Sequence, residues 1–547
     1  MPSARSTRRS ASDRLAEQLA ATRWGGRAQR LLADLRRRTV PNHWTSIFGV
    51  ISAASVVVLF VTGIVLMFFY TPSSQTVPYS GSYAPLRRAE VSEAFASTMR
   101  LSFDIPGGLL LRQAHHWSAL LLPASVVLQM LTTFFTGGFR RPRRGAWVVL
   151  FLVFVAVLIG GWSGYALPDD LLSGTGLRIV EGIALGIPFI GTQAVQVLFG
   201  GEFPGSALAT LYPVHLAVSV TLLGLLFVRA RLWYRQRAPR FPDPSRDPSR
   251  PAEIPFRVAA RRNVGLAFVV SAVLVLISAT VTVGPIWLYG PSSPSDAGAG
   301  SQPDWYTGFL DGALRLVPPG WEFEWLDRTV TLAVLVPLAA ITLALAIVAV
   351  YPFIEEWIAD DHSDHHTLDR PRDTRTRTGI GVAGLVFFGV LWLAGSADLV
   401  AVTFSLSIEG VIAALQVAIL LGPVGAFELT RRICFGLQRK DRELVLHGYE
   451  TGRIVRLPGG EYVEVHPPIG DAERARLTAV TDRQPVVLRP DARGRLPLAR
   501  RARAALSRLF FEDRIARPEI ADLEGPATAV SPHPPAEVEV LPERASV

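Results

Sequence analysis

Ten histidines occur in the chain. Seven of them (His43, His362, His365, His366, His447, His466 and His533) lie in polar stretches, whereas His115, His116 and His215 sit inside long apolar runs. An ionisable side chain within a membrane segment is costly and marks a functional position by default. Neutral imidazole is a common axial ligand of haem iron, and helix bundles often build cofactor sites from side chains on facing helices. His115 and His215 therefore form a candidate haem clamp. The alternative is two interfacial histidines hydrogen-bonded to neighbours. His116 points about 100° away from His115 around a helix, so it is expected to pack or to form a hydrogen bond.

Such a clamp needs helices to carry it. Of the 547 residues 49% are hydrophobic, and they come in long blocks. Crossing a bilayer as a helix takes about 20 apolar residues, and only helices or closed barrels satisfy the backbone there. Eight blocks of helical length are expected to span, near 45–70, 109–136, 146–166, 208–233, 262–288, 329–353, 379–399 and 405–430. The connections ending at 139–144, 229–240 and 370–377 are rich in Arg, and the alternate ones are not. The positive-inside rule then puts both termini in the cytoplasm and makes this a multi-pass protein of the cell membrane. Spans two and four both run inward, so His115 and His215 lie at matching depth.

The fold class expected is an all-α membrane protein of about eight transmembrane helices. Residues 1–44 form a cytoplasmic basic segment, in which 13–38 reads as an amphipathic helix on the membrane face and no secretory signal is seen. Residues 45–240 form a haem-binding four-helix bundle, 241–430 a C-terminal membrane domain, and 431–547 a cytoplasmic tail, loosely ordered from 489 onward. The formal charge of +9 sits beside the apolar blocks, as membrane topology requires, and does not point to nucleic acid. The single cysteine, Cys434, excludes an intrachain disulfide, a CxxCH haem attachment and a Cys-ligated iron–sulfur cluster within this chain.

Several words around these residues resemble the cytochrome b subunit of quinol:cytochrome c reductase (cytochrome bc) complexes in its actinobacterial form. They are NHWTSIFG (42–49), RQAHHW (112–117), FFTGGFRRPR (134–143), GYALPDDLLSGTGLRI (164–179), GSQPDWY (300–306), LQRKDRE (437–443) and HGYETG (447–452). The resemblance covers about residues 40–470. It implies two stacked b haems in the first four helices, with histidine ligands 14 positions apart on spans two and four. It also implies an outer quinol pocket near PDWY, a Rieske-type iron–sulfur subunit and a cytochrome c subunit as partners, and a homodimeric complex.

The chain departs from that pattern at one end. Fourteen positions beyond His115 stands Gln129, and fourteen beyond His215 stands Arg229. Arg has no lone pair to give, and a Gln carbonyl is a weak donor beside imidazole. Thr132 stands where the family carries an Arg that resembles a propionate anchor. The family's glycines for close porphyrin approach survive as Gly49 and Gly63 on span one. On span three only Gly164 remains, and Leu150 fills the other position. At the outer end His115, His215, Arg112, Gly63 and Gly164 are all kept. One haem b is therefore expected, at the outer site.

By resemblance, Asp304 of PDWY is similar to the proton acceptor for quinol oxidation, and Tyr165 and Tyr306 resemble residues lining the pocket. Against these stand two other readings: Asp304 as a cap of the helix TGFLDGALRL, and the tyrosines as ordinary interfacial aromatics. The stretch DHSDHH (361–366) reads as a solvated loop without a metal role. Three functions follow: a quinol-oxidising redox subunit with one haem, a paralogue serving another acceptor or a sensing role, and a haem-poor scaffold.

Overall fold

The computed structural model describes residues 22–201, 206–240, 253–293, 302–318 and 320–470, with parts of 471–511. Among the described residues eight helices are long and apolar enough to cross a membrane: α1 (Ser46–Leu66), α2 (Gly108–Phe135), α3 (Arg144–Ala166), α4 (Ala207–Arg235), α5 (Phe256–Thr280), α6 (Leu332–Ala359), α7 (Arg375–Gly395) and α8 (Ile408–His447). Their short or looped connections make the chain run alternately up and down. One end of the bundle holds Asp304 and the other holds Arg229. No sheet larger than a two-stranded ribbon is present among the described residues.

Helices α1 and α2 pack closely together, as do α3 and α4, and α7 with α8. The largest buried cluster lies toward the Arg229 end of α1–α4. There Leu122, Val126, Met130, Trp147, Leu150, Phe151 and Leu222 interlock with Phe139 and with Tyr351 of α6. Beneath it the loop after α2 is bound to the loop after α6 by a buried ion cluster: Arg377 pairs with Glu355 and with Asp369 (2.8 Å), and Asp369 pairs with Arg140 (2.8 Å). Burial pushes the Asp369 carboxyl up, but Arg377 and Arg140 outweigh it and hold the group below the usual carboxylate range.

The structure corrects several expected boundaries. Helix α5 stops at Thr280, eight residues early, because Gly284 takes φ +55° and Pro285 follows, and the chain resumes only as a short turn at Ile286–Tyr289. Helix α8 continues past 430 to His447, since no glycine with positive φ interrupts it before Gly448 (φ 84°). Part of the tail is ordered. Leu498–Phe511 is a helix that docks on α6 and α7, with Thr376 donating to the Leu509 carbonyl at 2.8 Å and Ala504 and Phe511 buried. Nor is 361–366 simply solvated: the His365 ring sits between Asp361 (2.9 Å) and Arg140 (3.3 Å), and its backbone N–H donates to the Arg141 carbonyl. Near the start of the chain a helix forms over Arg23–Arg37, with Thr22 as its cap, whereas 13–21 lie outside the described residues.

Candidate functional site

His115 on α2 and His215 on α4 face each other across the bundle, with ring centres 6.4 Å apart. Each Nδ1 has a partner. The His215 Nδ1 lies 3.0 Å from the Gly160 carbonyl, which can only accept, so this nitrogen carries the hydrogen. The His115 Nδ1 lies 3.0 Å from Thr62 Oγ1, and that hydroxyl already donates to the Val58 carbonyl at 2.7 Å, so it too accepts. Both rings are therefore left with a lone pair on Nε2, the state a metal ligand needs, and each orientation is set by a hydrogen bond on the other nitrogen.

The glycines kept on α1 and α3 lie against these rings. A Cβ added at Gly63 would come within 3.1 Å of the His115 ring, and one at Gly164 within 2.9 Å of the His215 ring. Arg112, one turn before His115, is 8% exposed. Its Nη2 donates to the Gly284 carbonyl at 3.0 Å, while its Nε is buried with no partner. An unanswered buried N–H is expensive, and a propionate carboxylate is the kind of group that would answer it. The spacing fits as well: two metal–imidazole bonds of about 2 Å, each followed by about 1 Å from nitrogen to ring centre, put the centres about 6 Å apart. These residues fit a haem b held by two histidines.

The Arg229 end is closed. Arg229 Nη2 donates to Gln129 Oε1 at 2.8 Å, Gln129 Nε2 donates to Ser52 Oγ at 2.6 Å, and Ser52 meets Ser125 Oγ at 2.7 Å. Thr132 turns its hydroxyl back to the Gln129 carbonyl (3.0 Å), and Leu150, 3% exposed, belongs to the central cluster. Where Gly49 lies open, a Cβ would meet Gln129 Oε1 at 3.9 Å. Amide, guanidinium and leucine occupy the space between the helices here.

Asp304 sits beside the first pair, next to His116 of α2. Its Oδ2 accepts from the Tyr306 hydroxyl at 2.9 Å and its Oδ1 lies 3.4 Å from His116 Nε2. The capping alternative fails, because the helix Gly308–Arg315 starts after Thr307 with no side-chain cap and the Asp304 side chain is turned elsewhere. Tyr306 is 4% exposed, and its ring lies so close to Gly161 that a Cβ there would come within 2.5 Å of the hydroxyl. Burial, reinforced by Asp304, pushes that phenol well above its ordinary value and keeps it a hydrogen donor. Tyr165 donates to the Gln302 carbonyl at 3.4 Å, and Gln302 Nε2 donates to Asp398 Oδ1 (2.9 Å). Nearby, burial pushes the Asp169 carboxyl up to about 6, against a hydrogen bond from Ser92.

Comparison with known proteins places this arrangement. The cytochrome b (N-terminal)/b6/petB family matches residues 120–291. The chain is 42% identical over 496 residues to the cytochrome bc1 complex cytochrome b subunit of Streptomyces coelicolor, covering 89% of this chain and 91% of the relative. It is 39% identical over 450 residues to the subunit of the same description from Mycobacterium leprae, covering 81% of each. This chain belongs to the cytochrome b subunit family of the cytochrome bc1 complex. Together with its eight apolar helices, that makes it a multi-pass membrane protein of a family built around haem b and respiratory electron transport. A solved chain titled "Hyperthermophilic respiratory Complex III" shares the fold, with a TM-score of 0.56 at 18% identity over 77% of this chain and all of the other.

The structure brings His115, His215, Arg112, Gly63 and Gly164 together, and sets Asp304 and Tyr306 beside them, against His116 and Gly161, with Tyr165 following Gly164 on α3. Sequence reasoning missed Thr62, Ser163 and Gln113. Ser163 lies 3.1 Å from His215 Nδ1, and each hydroxyl, Thr62 and Ser163, immediately precedes one of the two retained glycines. A hydroxyl-then-glycine pair inside two apolar spans was the available signal.

Proposed function

We propose that this cytochrome b subunit carries one haem b, between His115 and His215, and oxidises quinol in a pocket at the Asp304 end. The observation that carries the reading is the contrast between the two levels of the bundle: an imidazole pair with both Nε2 lone pairs free, against a Gln129–Arg229 pair joined by its own hydrogen bond. Bound there, the haem would supply a one-electron acceptor. Arg112 Nε is the donor available to its propionate. Asp304, held in place by Tyr306 and His116, takes the proton from a quinol hydroxyl, and Tyr165 and Tyr306 wall the pocket against water.

Quinol gives up two electrons, so a second acceptor is required. A Rieske-type iron–sulfur subunit with a cytochrome c subunit is the partner set that the relatives' membership of a bc1 complex supports, in a homodimeric assembly with the Asp304 end outward and both termini cytoplasmic. The deeper haem position lies roughly 21 Å away, from 14 residues at 1.5 Å each, and with Gln129 and Arg229 there the electron has no onward relay. Pyridine haemochrome quantification on the purified chain tests this: one haem per chain is expected, two overturn the single-site reading, and none favours a scaffold.

A further inference from the structure

Besides His115, four residues of the word RQAHHW bind chain outside their own helix. Gln113, 1% exposed, uses both ends of its amide on one residue: Nε2 donates to the Val283 carbonyl at 2.9 Å and Oε1 accepts from the Val283 N–H at 2.7 Å. Arg112 donates to the Gly284 carbonyl at 3.0 Å and Trp117 Nε1 to the Val281 carbonyl at 2.9 Å. His116 reaches Asp304 at 3.4 Å, and its ring packs against Gly284, where a Cβ would come within 3.2 Å. Residues 281–284 have left α5 and lie outside any helix or strand. Their backbone groups have no helix or strand partners, and a peptide group taken out of water without a hydrogen bond is costly. Helix α2 supplies those partners from positions 113 and 117, one turn apart, flanked by 112 and 116.

The same helix carries His115, two residues from Gln113. We infer that Gln113 is a positioning residue: it locks residues 281–284, and through Gly284 and His116 the Asp304 loop, to the haem-ligand helix, so that occupancy of the quinol pocket is felt at His115. The inference rests on the proposed haem and quinol sites. An α-helix is stiff over two residues, so a displacement of 281–284 passed through a two-point amide contact turns the ring of His115 rather than dissipating in a loop.

The test uses the full-length haem-containing protein in membranes and a short-tailed quinone analogue, with binding measured by equilibrium depletion and coupling by the shift of the reduced haem α-band on binding. Wild type is expected to bind and to shift. Gln113→Leu should keep its haem and still bind the analogue, yet lose most of the shift; Gln113→Glu, which retains an acceptor for the Val283 N–H, should recover part of it. An unchanged shift in Gln113→Leu overturns the inference. If that variant loses haem, Trp117→Phe, which removes the hydrogen bond to Val281 and keeps an aromatic ring, is read instead: a diminished shift supports the lock and an unchanged one overturns it. A wild type that binds without shifting overturns the lock alone. A wild type that binds no analogue overturns the quinol site and the lock together.

Discussion

The two levels of the α1–α4 bundle share the same four helices and the same 14-residue spacing, yet they are held together by opposite means. At the Asp304 level polar groups keep unused valences: imidazole nitrogens with free lone pairs and an arginine Nε without a partner, with the two rings lying against glycines. At the Arg229 level the polar groups face each other, and aliphatic and aromatic side chains fill the remaining space. On the one-haem reading proposed above, a helix bundle gives up a large prosthetic group locally. It needs residues that satisfy one another in the vacated layer and bulk where the backbone had been left bare, and it can leave the neighbouring layer intact.

Breaking the open level should have the largest effect. His115→Leu or His215→Leu removes half of the imidazole pair, and the expected outcome is complete loss of the b-type absorbance with the chain still inserted in membranes. Gly164→Val should lose most of it, because the added Cβ already lies 2.9 Å from the His215 ring. Retention of full haem by Gly164→Val would show that the ring can move aside.

The closed level should respond in stability rather than in colour. Leu150→Ala, at a site 3% exposed, is expected to destabilise by about 2–5 kcal/mol in a detergent unfolding assay while haem content holds. Gln129→Leu strips Arg229 of its hydrogen-bond partner and should cost about 1–3 kcal/mol, again with no loss of haem; a loss of colour would reverse the assignment of the two levels. The smallest change is expected from the triple variant Gln129→His, Arg229→His, Thr132→Arg. Leu150 still fills its place, so a second haem should not reach full occupancy until Leu150→Gly is added. Stoichiometric haem in the triple variant would show that histidines alone were missing.

The eight spans were legible in the sequence because a bilayer admits only long apolar helices. Their ends were less so: apolar residues continue through 281–289, and hydropathy does not register that Gly284 and Pro285 break the helix. His115 and His215 were readable from residue type and from their place in apolar spans, and positions 129, 229, 132 and 150 stood out only against the pattern of the family that the chain resembles. The clamp of Gln113 on Val283 was not, because a glutamine gives no sign in sequence of a partner 170 positions away. His116 was expected to pack or to form a hydrogen bond, but its contact with Asp304 emerged only when the helix and the loop were seen in space.

Helix α8 has a mechanical consequence. Its 40 residues rise about 60 Å, while a membrane with its headgroups measures about 40–45 Å, so the last turns stand clear of the lipid like a mast. The lower part of that projection is stayed: Gln438 donates to the Arg372 carbonyl at 2.6 Å and Asp441 accepts from Arg372 at 3.1 Å. Whatever follows Gly448 is thereby carried at a set height above the membrane surface, a stand-off determined by helix length rather than by any contact with lipid.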